Sequence, residues 1–176
     1  MKFKKLKLLF SLYLINKLSF CKLFELKRKL LIFSGIECGE NVSISGKLFI
    51  LSTNLKIGNN VWIGDNLRIY NSNPSFVTIE DNVDIAPCCK ICTGTHEIGF
   101  EDRRAGKGYL ANITIETGSW IGINSTIIAG VKIASNAIVG AGSVVVKNVP
   151  SNTLVAGIPA IVKKKLANIE GGKEII

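Results

Sequence analysis

From Ile115 onward the chain repeats with a period of six. The blocks IETGSW, IGINST, IIAGVK, IASNAI, VGAGSV and VVKNVP follow one another without a gap, opened by Ile115, Ile121, Ile127, Ile133, Val139 and Val145. The fifth position of each block is small or β-branched: Ser119, Ser125, Val131, Ala137, Ser143 and Val149. An α-helix repeats every 3.6 residues and a strand every 2, so a period of six is neither. It is a short strand plus a corner. Three such units close a triangular coil of 18 residues, and coils stack at the strand spacing of about 4.8 Å. The opening aliphatics and the fifth-position residues then face a narrow interior, while Gly and Asn supply the corner angles.

The first half carries the same pattern with interruptions. Ile44 and Ile50 are in register, one residue is inserted before Ile57, and Ile63 and Ile69 follow at six. An interruption around 71–75 precedes Ile79, Ile85 and Ile91. The array leaves off after His96, and residues 97–114 equal one coil in length without its pattern. Such a stretch reads as an extruded loop, and long loops in compact repeats tend to carry function. Without it, roughly six coils remain, enough for a stable stack.

Residues 1–33 differ from the rest. They hold nine Lys/Arg against one acid, Glu25, a balance of +8, whereas residues 34–176 hold thirteen bases and twelve acids, a balance of +1. Leu and Lys dominate and Gly and Pro are absent, which predicts a basic amphipathic helical segment over 1–34. Its longest uncharged run, 8–16, is too short to span a bilayer, and no signal-peptide cleavage site follows it. Two readings stand: a helical cap on the repeat body or a neighbouring subunit, and a helix lying on an anionic membrane surface. A nucleic-acid binder would carry its charge across a folded face, so none is expected as partner. The predicted body spans 35–165, and 166–176 form a short C-terminal tail.

The five cysteines, Cys21, Cys38, Cys88, Cys89 and Cys92, are odd in number and point to free thiols in a reducing compartment. A zinc site would need a further ligand set at matching spacing, so these residues are expected in the core or at corners and no metal is expected.

His96 is the only histidine. Together, the GTHEIG segment around it, the block GSWIGINSTIIAGVKI, and the tail VGAGSVVVKNVPSNTLVAGIPAIVKK resemble the hexapeptide-repeat acyltransferases. Within these the resemblance is to the sugar and polysaccharide O-acetyltransferases of the galactoside and maltose type. It covers about residues 35–165. It implies an all-β fold, a left-handed parallel β-helix, the handedness coming from the resemblance alone since parallel crossovers are otherwise right-handed. It implies acetyl-CoA as co-substrate, a carbohydrate acceptor, and a homotrimer with active sites between subunits. It also implies His96 as the general base that takes the proton of an attacking hydroxyl, a task an imidazole suits near neutral pH.

By the same resemblance, Trp120, Gly122 and Ile123 lie along the pantetheine arm, with Ala141, Gly142 and Lys147 further on. Lys163 and Lys164 meet the coenzyme's phosphates. Ile161 stands where relatives can place an arginine. Asn66, Asn71 and Asn73 fall where relatives hold a sugar, although an asparagine at a corner also simply tolerates the turn. Glu97 is a candidate helper for the imidazole. Arg103 and Arg104 meet an acidic sugar or phosphate, or are solvated loop charges. The expected activity is O-acetylation of a sugar in surface-polysaccharide assembly, in the cytoplasm or at the inner membrane face. An N-acetyltransferase on a nucleotide-linked amino sugar, an antibiotic acetyltransferase and a non-catalytic β-helix scaffold stay open as alternatives.

Overall fold

The computed structural model describes residues 2–166. The part of the expected tail beyond residue 166 lies outside the described residues.

The period of six is a coil of parallel strands. A first face stacks Glu37–Cys38, Leu55–Ile57, Val77–Ile79, Ile113–Ile115 and Lys132–Ile133. A second stacks Ser43–Ile44, Trp62–Ile63, Asp84–Ile85, Trp120–Ile121, Ile138–Val139 and Thr153–Ala156, with Ile161–Lys165 added antiparallel at the end. A third stacks Leu48–Ile50, Leu67–Tyr70, Lys90–Cys92, Thr126–Ile127 and Val144–Val145. This makes five full coils and the start of a sixth, which begins with the Ile133–Val149 bridge on the first face and continues with Thr153–Ala156 on the second, and the insertions near 51–54 and 71–76 lengthen corners.

The opening aliphatics form inward columns. Ile57, Ile79, Ile115 and Ile133 align on the first face. Ile44, Ile63, Ile85, Ile121 and Val139 align on the second, and Ile50, Ile69, Ile91, Ile127 and Val145 on the third. All are buried, as are the fifth-position residues Ser119, Ser125, Val131, Ala137, Ser143 and Val149. Cys89 occupies a fifth position and is buried with them. Corners take left-handed backbone at the same interval of six: Gly118, Asn124, Gly130, Asn136 and Gly142 all have positive φ. Cys88 takes such a corner too, with φ 64.

The N-terminal segment is two helices, α1 (Lys2–Lys17) and α2 (Phe24–Ser34), where the sequence suggested one continuous stretch. The break is tertiary in origin. Cys21 and Leu23 adopt positive φ, and the Cys21 N–H donates to Ser45 O at 2.7 Å. The first coil has no coil beneath it, and an open sheet edge needs covering. The helices supply the cover. Asn16 exchanges two bonds with Leu48, Nδ2 donating to its carbonyl at 3.0 Å and Oδ1 accepting its N–H at 2.8 Å. Arg28 Nε donates to Gly39 O at 2.6 Å. Lys27, fully buried, donates to Ser19 O, Ile44 O and Ser45 O at 3.1, 2.9 and 3.2 Å. Burial pushes its ammonium below the usual lysine range.

Candidate active site

The stretch without repeats is a β-hairpin arm. Gly94–Ile98 pairs antiparallel with Ala105–Leu110, with His96 opposite Gly108 and a bulge between His96 and Ile98. The arm therefore begins before His96, and the chain is back in the coil by Ile113. The expected loop boundary of 97–114 shifts because strand pairing recruits Gly94–His96 into the arm.

The arm leaves at the edge between the third and first faces. Its base is tied to the corner one coil below. Ser75 Oγ donates to or accepts from Thr93 Oγ1 at 2.7 Å, and the Phe76 N–H donates to Asn112 Oδ1 at 2.8 Å. The corner at 71–76 is thus fixed against both legs of the arm. These ties carry no sequence signal beyond polar residues beside an interruption.

His96 is exposed, and among the described residues no hydrogen bond engages its imidazole. The ring lies across the Gly108 backbone: a Cβ at 108 would sit 3.5 Å from both Cδ2 and Nε2. Glycine there places no side chain against the Nε2 side of the ring. Glu97 is exposed and makes no bond to the imidazole, so the helper role expected of it has no contact behind it. Arg103 and Arg104 are exposed at the tip, where the Gly99 N–H donates to Arg104 O and Arg104 Nη1 reaches Gly99 O at 3.5 Å.

The three asparagines expected to cluster are separated. Asn71 is fully buried and its amide is spent on the corner below: Oδ1 accepts from Ser52 N at 3.1 Å, and Nδ2 donates to Ser52 O and Asn54 O at 3.1 and 2.9 Å. Asn73 is exposed on the 71–76 corner, on His96's edge. Asn66 sits on the other side of the third face, between second and third faces, with φ 59. It accepts from Arg68 Nε at 3.3 Å.

The residues matched to the coenzyme divide the same way. Gly122, Ile123, Ala141 and Gly142 follow second-face strands and line the edge between second and third faces. Trp120 projects from the second face, 45% exposed. Lys163 and Lys164 lie on the antiparallel strand that extends that face. Lys147 alone shares His96's edge, two coils on, or about 10 Å at the strand spacing. Gly122 has a packing reason of its own. A Cβ there would meet Ala141 N and Val139 O at 2.6 Å, so the backbone of the next coil excludes any side chain. Within one chain, then, His96 and the coenzyme-like edge are separated by the third face, about 20 Å of extended chain.

The family model for the bacterial transferase hexapeptide (six repeats) matches residues 112–147. The galactoside O-acetyltransferase of Escherichia coli (strain K12) is 37% identical over 129 residues, which is 73% of this chain and 63% of that protein. The structure of a galactoside acetyltransferase in complex with coenzyme A superposes with a TM-score of 0.81 at 32% identity, covering 95% of this chain and 82% of the other. This chain belongs to the hexapeptide-repeat transferase family. Its coil is the left-handed β-helix of that family, as the resemblance implied. A hexapeptide-repeat acetyltransferase of Vibrio cholerae complexed with acetyl coenzyme A also superposes, with a TM-score of 0.81 at 26% identity over 95% of this chain and 89% of the other. This chain spans about 63% of the length of the Escherichia coli relative. Among its described residues no three His, Cys, Asp or Glu side chains come together as a metal-binding group.

Proposed function

We propose that this transferase moves an acetyl group from acetyl-CoA to a sugar hydroxyl, with His96 as general base and each active site built between two copies of a homotrimer. The observation that carries the reading is the division of the site. An unengaged imidazole stands on one edge, and the glycine-lined, tryptophan-flanked edge that matches the coenzyme positions stands on another. Neither half acts alone. A ring of copies sets the His96 edge of one against the coenzyme edge of the next, and the hairpin arm, with Ile98 and Phe100 exposed at 91% and 87%, has the apolar surface to reach across.

In this reading His96 accepts the hydroxyl proton as the oxygen adds to the thioester carbonyl. Backbone N–H groups of the facing coil hold the negative charge that develops. His96 then returns the proton to the departing sulfur, leaving a sugar ester and free coenzyme A. Trp120, Ile123, Ala141 and Gly142 flank the coenzyme arm, with Gly122 beneath them. Lys147, Lys163 and Lys164 answer its phosphates. Asn73 with Arg103 and Arg104 meets the acceptor from the His96 side, and Asn66 from the coenzyme side. We place the acceptor among surface-polysaccharide precursors made at the inner face of the membrane. All five thiols are free, which suits a cytoplasmic site.

The test is complementation. Thiol release from acetyl-CoA is measured with a panel of sugars for wild type, His96→Ala, Ala141→Glu, and an equimolar mixture of the two variants assembled together. Each variant alone should lose activity, by about 10²–10⁴-fold for His96→Ala. In random rings a site is intact when one copy supplies His96 and its neighbour supplies Ala141. That is half times half, so the mixture should recover about a quarter of wild-type activity. No recovery in mixed rings overturns the shared site, and full activity in His96→Ala overturns the base.

A further inference from the structure

α1 carries two apolar stripes. Leu8, Ser11, Leu12 and Ile15 recur at helical spacing and are buried against the body. Phe3, Leu6, Leu9, Phe10 and Tyr13 are 52–69% exposed. At 100° per residue these five share one arc, centred about 180° from the buried one. The outer stripe is therefore not spare surface of the packing face. Lys7 Nζ lies over the rings of Phe3 and Phe33, at 4.9 and 4.8 Å from their centroids, which joins α2 to the same patch. Exposed apolar side chains at this density on a small protein mark a docking surface.

The charge around the patch is one-sided. Lys4, Lys5, Lys17, Lys22 and Lys29 are exposed. The only acid of residues 1–33, Glu25, is already paired with Arg28 at 3.0 Å and Lys29 at 3.7 Å. Two copies meeting through this patch would set lysine against lysine, and the near-neutral body offers no acidic field to receive it. Among the described residues no helix is long and apolar enough to cross a membrane.

We propose that the helical cap docks on the surface of an anionic lipid bilayer, with α1 in the interfacial plane and its outer stripe in the acyl boundary. Interfacial helices of this kind combine an apolar face with flanking lysines drawn to acidic headgroups. The inner stripe stays against α2 and the first coil, so docking and folding use opposite sides of one helix. The inference does not rest on the acyl-transfer reading.

The experiment is co-sedimentation of the full chain with phosphatidylcholine vesicles and with vesicles containing about a third phosphatidylglycerol. The chain should partition onto the anionic vesicles, weakly onto the neutral ones, and less as salt rises. Leu6→Ser with Phe10→Ser should lower partition at least about tenfold. Lys5→Glu with Lys17→Glu should do the same, since each lysine near such a surface contributes about fivefold. Both pairs face solvent, so the melting temperature should stay at the wild-type value. The proposal is overturned by absent or charge-independent partition, by variants that bind as wild type, or by Leu6→Ser with Phe10→Ser lowering the sedimentation mass, which would assign the stripe to a second copy.

Discussion

Replacing Lys27 by methionine separates two opposed effects in the joint between cap and coil. The side chain is fully buried and its ammonium donates to three carbonyls. Methionine keeps most of the volume and removes the charge. One effect favours the variant: an ammonium taken from water carries a desolvation cost of several kcal/mol, and burial already holds this one below its ordinary pKa. The other opposes it. Ser45 O keeps the Cys21 N–H, and Ser19 is exposed, so its carbonyl finds water. Ile44 O lies in the buried part of the joint, and it is stranded. An unsatisfied buried acceptor costs about 1–3 kcal/mol. The cap also loses the group that binds it to two first-coil carbonyls at once. We expect opposition to win, with Lys27→Met destabilising by about 2–3 kcal/mol. For a chain of this size that is a fall in melting temperature of roughly 5–10 °C. Thermal unfolding by circular dichroism reads it, and hydrogen exchange at Ser43 and Ser45 should quicken with it. A Lys27→Met protein that melts at or above the wild-type temperature would refute the reasoning, because desolvation would then outweigh the three bonds.

Asn71→Leu should cost about 2–4 kcal/mol through the stranded Ser52 amide and the Ser52 and Asn54 carbonyls, seen as a lower melting temperature with acceptor KM unchanged. Asn73→Ala should do the reverse, raising acceptor KM at constant stability. Glu116 accepts from the Lys132 ammonium at 2.6 Å and from Ser135, and these bonds hold its carboxyl below the ordinary 4.5. A depressed carboxylate contributes stability above its unfolded pKa and loses it as pH falls through the folded value. The melting-temperature gap between wild type and Glu116→Gln should therefore be present at pH 7 and close as pH falls below the ordinary carboxylate range. A gap that persists at acid pH would assign the effect to packing.

The coil was legible because a period of six leaves few options, and the inward columns from Ile44 to Val145 follow from counting. The corners were nearly as legible, since Asn and Gly fall where positive φ is required. Counting fails where a corner grows. Asn66 and Asn71 are five residues apart and looked like neighbours, yet the chain crosses the third face between them. Asn71 then turns inward to bond the widened 51–54 corner of the coil below. The hairpin was missed for a related reason. Residues 97–114 lack the hexad, but a strand pair needs only alternation and a partner, and Gly94–Ile98 supplies one leg from inside what looked like the repeat. Lys27 had no signal at all. Among nine basic residues in 33, nothing local distinguishes the one that points into the protein, because that choice belongs to the open carbonyls of the first coil.

The candidate site shows the same limit at larger scale. His96 could be singled out from sequence because it is alone, and the coenzyme positions could be carried over because their motifs match. Motifs place residues along the chain and say nothing of which edge of a triangle each falls on. Once the edges are known, two halves that read as one site lie a face apart, with Lys147 alone on the side of His96. On the proposed reading, a hydroxyl activated at His96 would have no thioester beside it within one chain, and a thioester laid along the edge between second and third faces would have no base. The arm, with its uncovered Ile98 and Phe100, is an incomplete surface in the same sense that each edge is an incomplete site. Both deficits have one remedy, a neighbouring copy turned so that its coenzyme edge meets the arm, and the quarter-activity mixture is the measurement that distinguishes this arrangement from two unrelated edges.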